Sequence, residues 1–197
     1  MPAASCCRWS RGWSSTRHPV GIFGSCPFAE STPNGSRDIA PVEELAELVV
    51  TPMTVFVFEN LETMFAMPDL LGAVVVHGGS YAAPRLGAIP WINAGRVIYW
   101  GDLDSDGFAI LHALRAGCRS VTSTLMDEAT LLQFRDLWVP EPKPVGGTYS
   151  TLTAGEQAAL GRIRSEENVR LEQEGIEWSY ALLRLLAFAA NPDRPAG

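Results

Sequence analysis

Residues 97–107 read VIYWGDLDSDG, four apolar or aromatic residues followed at once by a glycine-flanked run holding three aspartates. The first four, Val97 to Trp100, offer no polar position, so both faces of that stretch ask to be buried, as in a strand inside a parallel sheet. The aspartates then lie just past its carboxyl end, which is where open parallel sheets bind their ligands. Residues two apart in an extended stretch point the same way. Asp102 and Asp104 therefore share one direction, while Leu103 turns back to the core. Gly101 and Gly107 leave the backbone free to turn around the acidic group.

Working outward, Thr54 to Phe58 (TVFVF) is β-branched and aromatic, too short for a helix and preceded by Pro52, so it reads as a strand. Glu59 and Asn60 stand at its carboxyl end, and Leu61 to Met67 reads as a short helix stopped by Pro68. Ala73 to Val76 is another run apolar on both faces, closed by His77-Gly78-Gly79-Ser80, with a helix over Tyr81 to Leu86 after it. Phe108 to Ala116 is amphipathic, with Gly117 as its C-cap. Ser120 to Thr124 gives a fourth strand, and Asp127 is the N-cap of a helix through Arg135. A short helix over Pro41 to Leu48, with Leu45 and Leu48 on one side, precedes them all. Strands alternating with helices at this spacing mean βαβ units. The predicted class is α/β, a mainly parallel four-stranded sheet flanked by helices, over residues 39–138.

A Pro/Gly-rich connector follows at 139–150 (VPEPKPVGGT within it), then a C-terminal helical part at 151–190 and a tail at 191–197. The helices there start at Thr153 and run from about Glu167 to Ala190; the second ends strongly apolar (YALLRLLAFAA) and should pack on the sheet or on a second subunit. Residues 1–38 mix Cys, Trp, Arg, Ser, Pro and Gly without a recurring apolar face. They are expected to be a disordered or non-native leader.

A chain of 197 residues with 47% hydrophobic residues is long enough for one packed domain. Its formal net charge of −7 lacks the basic surplus of a free-standing DNA binder, so any grip on DNA must be local or come from a partner. Lys143 is the only lysine; the other basic residues are arginines. Cys6, Cys7, Cys26 and Cys118 form no C-x-x-C pair, and a reducing cytoplasm is the expected setting. A zinc site from Cys6, Cys7, His18 and Cys26 fits no familiar finger spacing. No run approaches the ~18 apolar residues of a membrane span, and the N-terminus has no continuous apolar core of a signal peptide.

Glu59 and the group Asp102, Asp104 and Asp106 thus converge on one sheet edge from two strands. Carboxylates gathered this way repel one another unless a cation sits among them, and oxygen ligands suit Mg²⁺ or Mn²⁺. A plain Asp-rich turn is the ordinary alternative, since aspartate is common at strand-to-helix turns. A calcium-binding helical hairpin starting at Asp102 fails, because its twelfth loop position falls on Ala113 and a strand precedes it. A phosphatase of the haloacid dehalogenase type would use Asp104 as nucleophile and Asp106 as acid. It normally needs a downstream lysine, and Lys143 lies in the Pro-rich connector.

A strand ending in Glu followed by a later strand ending in D-x-D resembles the Toprim domain, a Rossmann-like fold of topoisomerases, primases and related nucleases. The segments VFVFENLETMFAMP, VVVHGGSYAAPRLGAIPW, VIYWGDLDSDGFAILHALRA, TLMDEATLL and VRLEQEGIEW, in this order from about Pro41 to Phe188, are similar to the C-terminal Toprim region of the JetD family. Members of that family are the nuclease subunits of Wadjet anti-plasmid defence systems, distantly similar to the topoisomerase VI catalytic subunit. The resemblance implies endonucleolytic hydrolysis of plasmid DNA with Mg²⁺ or Mn²⁺, in a cytoplasmic complex with an SMC-like ATPase, kleisin and accessory subunits. It also implies a homodimer, as does the apolar C-terminal helix. Glu59, Asp102 and Asp104 are the implied metal and general-base group, with Asp106 a further ligand. The topoisomerase-like relatives use a tyrosine nucleophile; Tyr81, Tyr99, Tyr149 and Tyr180 match no such position, so water is the expected nucleophile.

The chain also departs from the family. Ser105-Asp106 stands where a Thr-His pair is expected, and Asp106 either adds a ligand or caps the next helix. No lysine follows Glu59, where Asn60-Leu61-Glu62 stands, so transition-state charge would rest on metal or on Arg85 or Arg115. The long DNA-contacting N-terminal region of the family is replaced by about forty unpatterned residues. A truncated chain, or an inactive remnant that binds partners and cuts nothing, is therefore a further expectation. Glu62, and Asp127 with Glu128, are secondary metal candidates, though at helix starts such residues more often complement the helix dipole. Glu172 and Glu174 are expected on a helix in solvated or ion-pair contacts, His77 in a structural role, and Trp91, Trp100 and Trp138 in the core.

Overall fold

The computed structural model describes residues 20–24, 36–40, 42–78 and 83–190. Two strands come first, β1 (Val20–Gly24) and β2 (Ser36–Ala40), then helix α1 (Val42–Ala46). Strand β3 (Thr54–Phe58) leads into α2 (Leu61–Ala66), and β4 (Ala73–His77) into two short helices, α3 (Ala83–Leu86) and α4 (Pro90–Ala94). Strand β5 (Arg96–Trp100) feeds α5 (Ser105–Gly117), and β6 (Val121–Ser123) feeds α6 (Glu128–Gln133). Then come β7 (Val139–Pro140), α7 (Ala154–Ser165), β8 (Val169–Arg170), a 3₁₀ turn at Gln173–Gly175 and α8 (Trp178–Ala190).

The sheet order is β2-β1-β4-β3-β5-β6. Strands β4, β3, β5 and β6 are parallel to one another, so the predicted four-stranded parallel sheet is present. The central strands are the ones with no polar residue to spare. Val55 to Phe58 and Ile98 to Tyr99 are fully buried, and Trp100 packs its ring edge-on against Phe58 at 6.1 Å between centroids. Burying side chains of this size contributes roughly 1.5–3 kcal/mol each. In register, Phe58 faces both Trp100 on one side and His77 on the other, which sets the carboxyl ends of three strands level.

Two expectations are corrected. The first concerns the segment 1–38. Val20–Gly24 pairs antiparallel with Ser36–Ala40 on one side and with β4 on the other, adding two strands to the sheet. A five-residue strand that itself holds Gly21 and Gly24 gives too short a run to show alternation, and sheet pairing supplies what the pattern lacks. The remainder of that segment, with Cys6, Cys7, His18 and Cys26, lies outside the described residues, as do Tyr81 at the start of the predicted third helix and the tail 191–197.

The second concerns the stretch from Glu167 to Ala190, which is not one helix. Glu167 and Asn168 adopt left-handed backbone (φ 63° and 59°), breaking the chain away from α7. Asparagine tolerates that region better than most residues. Val169–Arg170 then pairs with Val139–Pro140, and Leu171 bridges to Leu103. Only at Trp178 does a helix begin, and it packs with Ala181 and Leu185 buried while Leu183 is exposed. Glu172 and Glu174 accordingly stand in an irregular strap, not on a helix. No helix among the described residues is long and apolar enough to cross a membrane.

Candidate metal centre

Strands β3 and β5 are hydrogen-bonded neighbours, so the residues that follow them emerge side by side. The Glu59 N–H donates to the Trp100 carbonyl at 3.4 Å. Its Oε2 accepts from the Asp102 N–H at 3.4 Å and from the Tyr99 hydroxyl at 3.3 Å. Asp102 Oδ1 accepts from the Gln173 N–H at 2.8 Å, and its Oδ2 from Arg170 Nη2 at 3.0 Å. Asp104 Oδ1 accepts from the Gly107 N–H at 2.7 Å and so caps α5, while its Oδ2 lies 3.4 Å from Arg170 Nε. The predicted alternation is present: both aspartates reach one guanidinium, and Leu103 between them is buried. The cap is Asp104 and not Asp106, which stands in the first turn of α5. Gly101 and Gly107 serve by giving room and not by an unusual turn. Neither has positive φ, and a Cβ on Gly101 would lie 2.8 Å from Glu59 Oε2.

Burial pushes the Glu59 carboxyl up to about 8, helped by the negative charges of Asp102 and Asp104. Burial likewise raises Asp104, to about 6, and raises Asp102, where the Gln173 N–H and Arg170 oppose it. For Glu59 the sign for stability is unfavourable. The folded chain holds a proton that the unfolded chain has lost, so stability declines as pH rises from about 4.5 to about 8. Glu59→Gln is therefore expected to be more stable than wild type at pH 9 in chelator, by a few kcal/mol, with the difference vanishing toward pH 4. Denaturant titrations at the two pH values check this, and equal stabilities at pH 9 would rule out the strained carboxylate.

These carboxylates have the donor chemistry of a hard divalent cation, and their mutual repulsion is what such an ion relieves. As they stand, among the described residues, no three His, Cys, Asp or Glu side chains are gathered closely enough to hold a metal ion. Arg170 occupies the position between Asp102 and Asp104 instead. The donor types are those a hard cation takes, while their present arrangement gathers them around a guanidinium.

The other sequence-derived candidates stand elsewhere. Arg85 pairs with exposed Glu43 at 2.7 Å. Arg115, in the last turn of α5, makes a two-pronged ion pair with Glu156 at 2.6 and 2.8 Å. Glu62 is exposed in the first turn of α2, and Asp127 caps α6 by accepting from the Thr130 N–H at 2.7 Å. His77 Nε2 meets the Glu59 carbonyl at 2.8 Å, a backbone-fixing contact consistent with a structural role. Trp91 and Trp100 are core residues, and Trp138 is half-buried with its indole N–H on the Leu131 carbonyl.

Three residues at the site lie outside the sequence-derived set: Arg170, Gln173 and Lys143. Gln173 is buried and clamps both strand ends, its N–H on Asp102 and its side-chain oxygen accepting from the Asn60 N–H at 3.1 Å. Lys143 lines a cleft of about 380 Å³ with Asp104, Asp106, Glu141, Val145 and Arg170. The connector reaches this far because Glu141 accepts from Ser105, hydroxyl and N–H, at 2.5 and 3.2 Å. Its being the chain's single lysine was the one signal available in the sequence.

No curated protein matches the chain. The family described as "Wadjet protein JetD, C-terminal" matches residues 26–185, taking in β2 to β8, the strap and all of the acidic edge. With the parallel sheet, the Glu59 strand end and the D-x-D loop inside that match, the chain belongs to the Wadjet JetD C-terminal family.

Proposed function

We propose that this chain is the catalytic Toprim part of a DNA endonuclease subunit in a Wadjet-type plasmid defence complex, hydrolysing phosphodiesters with Mg²⁺ or Mn²⁺. The observation that carries the reading is the meeting of Glu59 with the D-x-D loop at adjacent strand ends, Glu59 Oε2 standing 3.4 Å from the Asp102 N–H. Glu59, Asp102 and Asp104 are the residues that would hold the cation, with Asp106 at the rim. A divalent ion so held neutralises phosphate oxygens and makes a bound water more acidic.

The protein's own groups do the rest. Glu59 is placed to take the proton of an attacking water once a cation's charge opposes the burial and the neighbouring carboxylates that raise its carboxyl. Lys143 and Arg170 supply positive charge along the cleft beside Asp104, where a phosphate oxygen could be oriented. In a chain of net charge −7 this grip is local, and longer-range hold on DNA falls to the SMC-like ATPase, kleisin and accessory partners or to a second copy of the chain.

The test is incubation of the purified chain with supercoiled plasmid and Mn²⁺, alone and with the partner subunits. Nicked or linear product that disappears with chelator is the expected result. Product formed equally in chelator would exclude the metal reading, and none under any combination would identify a partner-binding chain that does not cut. The phosphatase reading keeps one observation in its favour, since Lys143 lines the same cleft as Asp104 and Asp106. Against it, Asp104 is buried, with Oδ1 held by a helix cap and Oδ2 beside Arg170. Trapping of a phosphoenzyme from a small phosphate ester would decide for it.

A further inference from the structure

Arg170 is placed like an ion. Its guanidinium lies between Asp102 Oδ2, at 3.0 Å, and Asp104 Oδ2, at 3.4 Å, with Glu172 Oε1 at 2.8 Å on the outer side. The backbone that carries it is fixed, because Leu171 and Leu103 exchange both main-chain hydrogen bonds at 3.0 and 3.1 Å. The side chain is less well fitted. Guanidinium binds carboxylate best through two parallel N–H bonds in one plane. Here neither aspartate is held that way. Nε faces Asp104 without the geometry of a hydrogen bond and is buried with no other acceptor. Among the described residues the two aspartates meet no other cationic side chain.

We propose, building on the metal-site reading above, that Arg170 is a displaceable internal counter-ion: it competes with the divalent cation for Asp102 and Asp104 and must swing away before the cation binds. A single charge spread over a plane offsets two converging carboxylates less completely than a compact double charge does. The released guanidinium has both a pivot and a destination. Glu172, at the rim and 49% exposed, can keep its pair with Arg170 throughout. The cleft of about 380 Å³ that Arg170 already lines with Lys143 has room for the side chain. Loading the site and turning a positive group toward the cleft are then one movement.

The experiment is Mn²⁺ binding by calorimetry to the full chain as wild type, Arg170→Gln, Arg170→Lys and Asp102→Asn/Asp104→Asn, with thermal midpoints measured with and without Mn²⁺. Removing a competing charge at this distance is expected to tighten Mn²⁺ binding about tenfold or more in Arg170→Gln after solvent screening. Arg170→Lys should stay near wild type, and Mn²⁺ should raise the midpoint of Arg170→Gln more than that of wild type. A residue that merely props up the strap would weaken binding when changed. If Arg170→Gln binds Mn²⁺ no tighter than wild type while the double aspartate variant loses binding, the competition is refuted and the metal site stands. If neither wild type nor Arg170→Gln binds Mn²⁺ differently from the double aspartate variant, the metal reading fails and the competition with it.

Discussion

Asp102→Asn/Asp104→Asn is expected to remove Mn²⁺ binding and to lower Mn²⁺-dependent plasmid cleavage by about 10³-fold or more, with the fold intact. The size follows from taking away two of the three charges that would define the ion's position; loss of one electrostatic group at a reacting centre commonly costs 10²–10³. Asparagine is the informative replacement because each aspartate has a second task. Asp102 accepts the Gln173 N–H and Asp104 accepts the Gly107 N–H. An amide oxygen can take over both, and asparagine caps helices about as well as aspartate. Alanine at Asp104 would mix the loss of charge with roughly 1 kcal/mol of lost capping. Calorimetry, plasmid gels and thermal melts on the same preparations separate the effects. Unchanged Mn²⁺ affinity in a folded double variant would place the ion on other residues.

Arg115→Ala is expected to destabilise the chain by about 3–5 kcal/mol. Its side chain is 11% exposed and that of Glu156 is 4% exposed, so the pair is shielded from water. Arg115 also donates to the carbonyls of Val121 and Thr151, at 3.2 and 2.8 Å. Glu156 in turn closes the capping box of α7, accepting from the Thr153 N–H at 2.7 Å, and accepts from the Ser123 hydroxyl. One ion pair thus ties α5, β6 and α7 together. Deleting the arginine leaves a buried carboxylate without its counter-charge, which costs more than the pair itself contributes. Denaturant titration of the single variants and of Arg115→Met/Glu156→Leu checks this. The double variant should lose less than Arg115→Ala alone. A loss below about 1 kcal/mol for Arg115→Ala would mean that water reaches Glu156.

The acidic edge was legible because its signals are local. A strand with no polar position followed by Glu59, and another followed by D-x-D, need only the pleat and the rule for parallel sheets. The helix cap at Asp127 is local in the same sense. What escaped was set by distant pairing. The stretch from Glu167, leading into an apolar helical run, gives no hint that two of its residues will join β7, since Val139–Pro140 supplies the reason from far earlier in the chain. Arg170 and Gln173 reach Asp102 through that pairing and the strap after it, and no local pattern marks them. Arg115 is the opposite case: with no lysine after Glu59 the sequence turns to an arginine for transition-state charge, and only the fold reveals Glu156 opposite this one.

The bond from the Asn60 N–H to Gln173 spans 113 residues, and that from Arg170 to Asp102 spans 68. Contacts so far apart along the chain carry the largest closure entropy and form late. A nascent chain that has emerged as far as residue 168 already holds every strand of the main sheet, yet its D-x-D loop lacks both the guanidinium and the strap. Synthesis from one end therefore presents every strand of that sheet before the residues that complete the acidic edge, so a chain released at that point would have the sheet without Arg170 and Gln173 against Asp102.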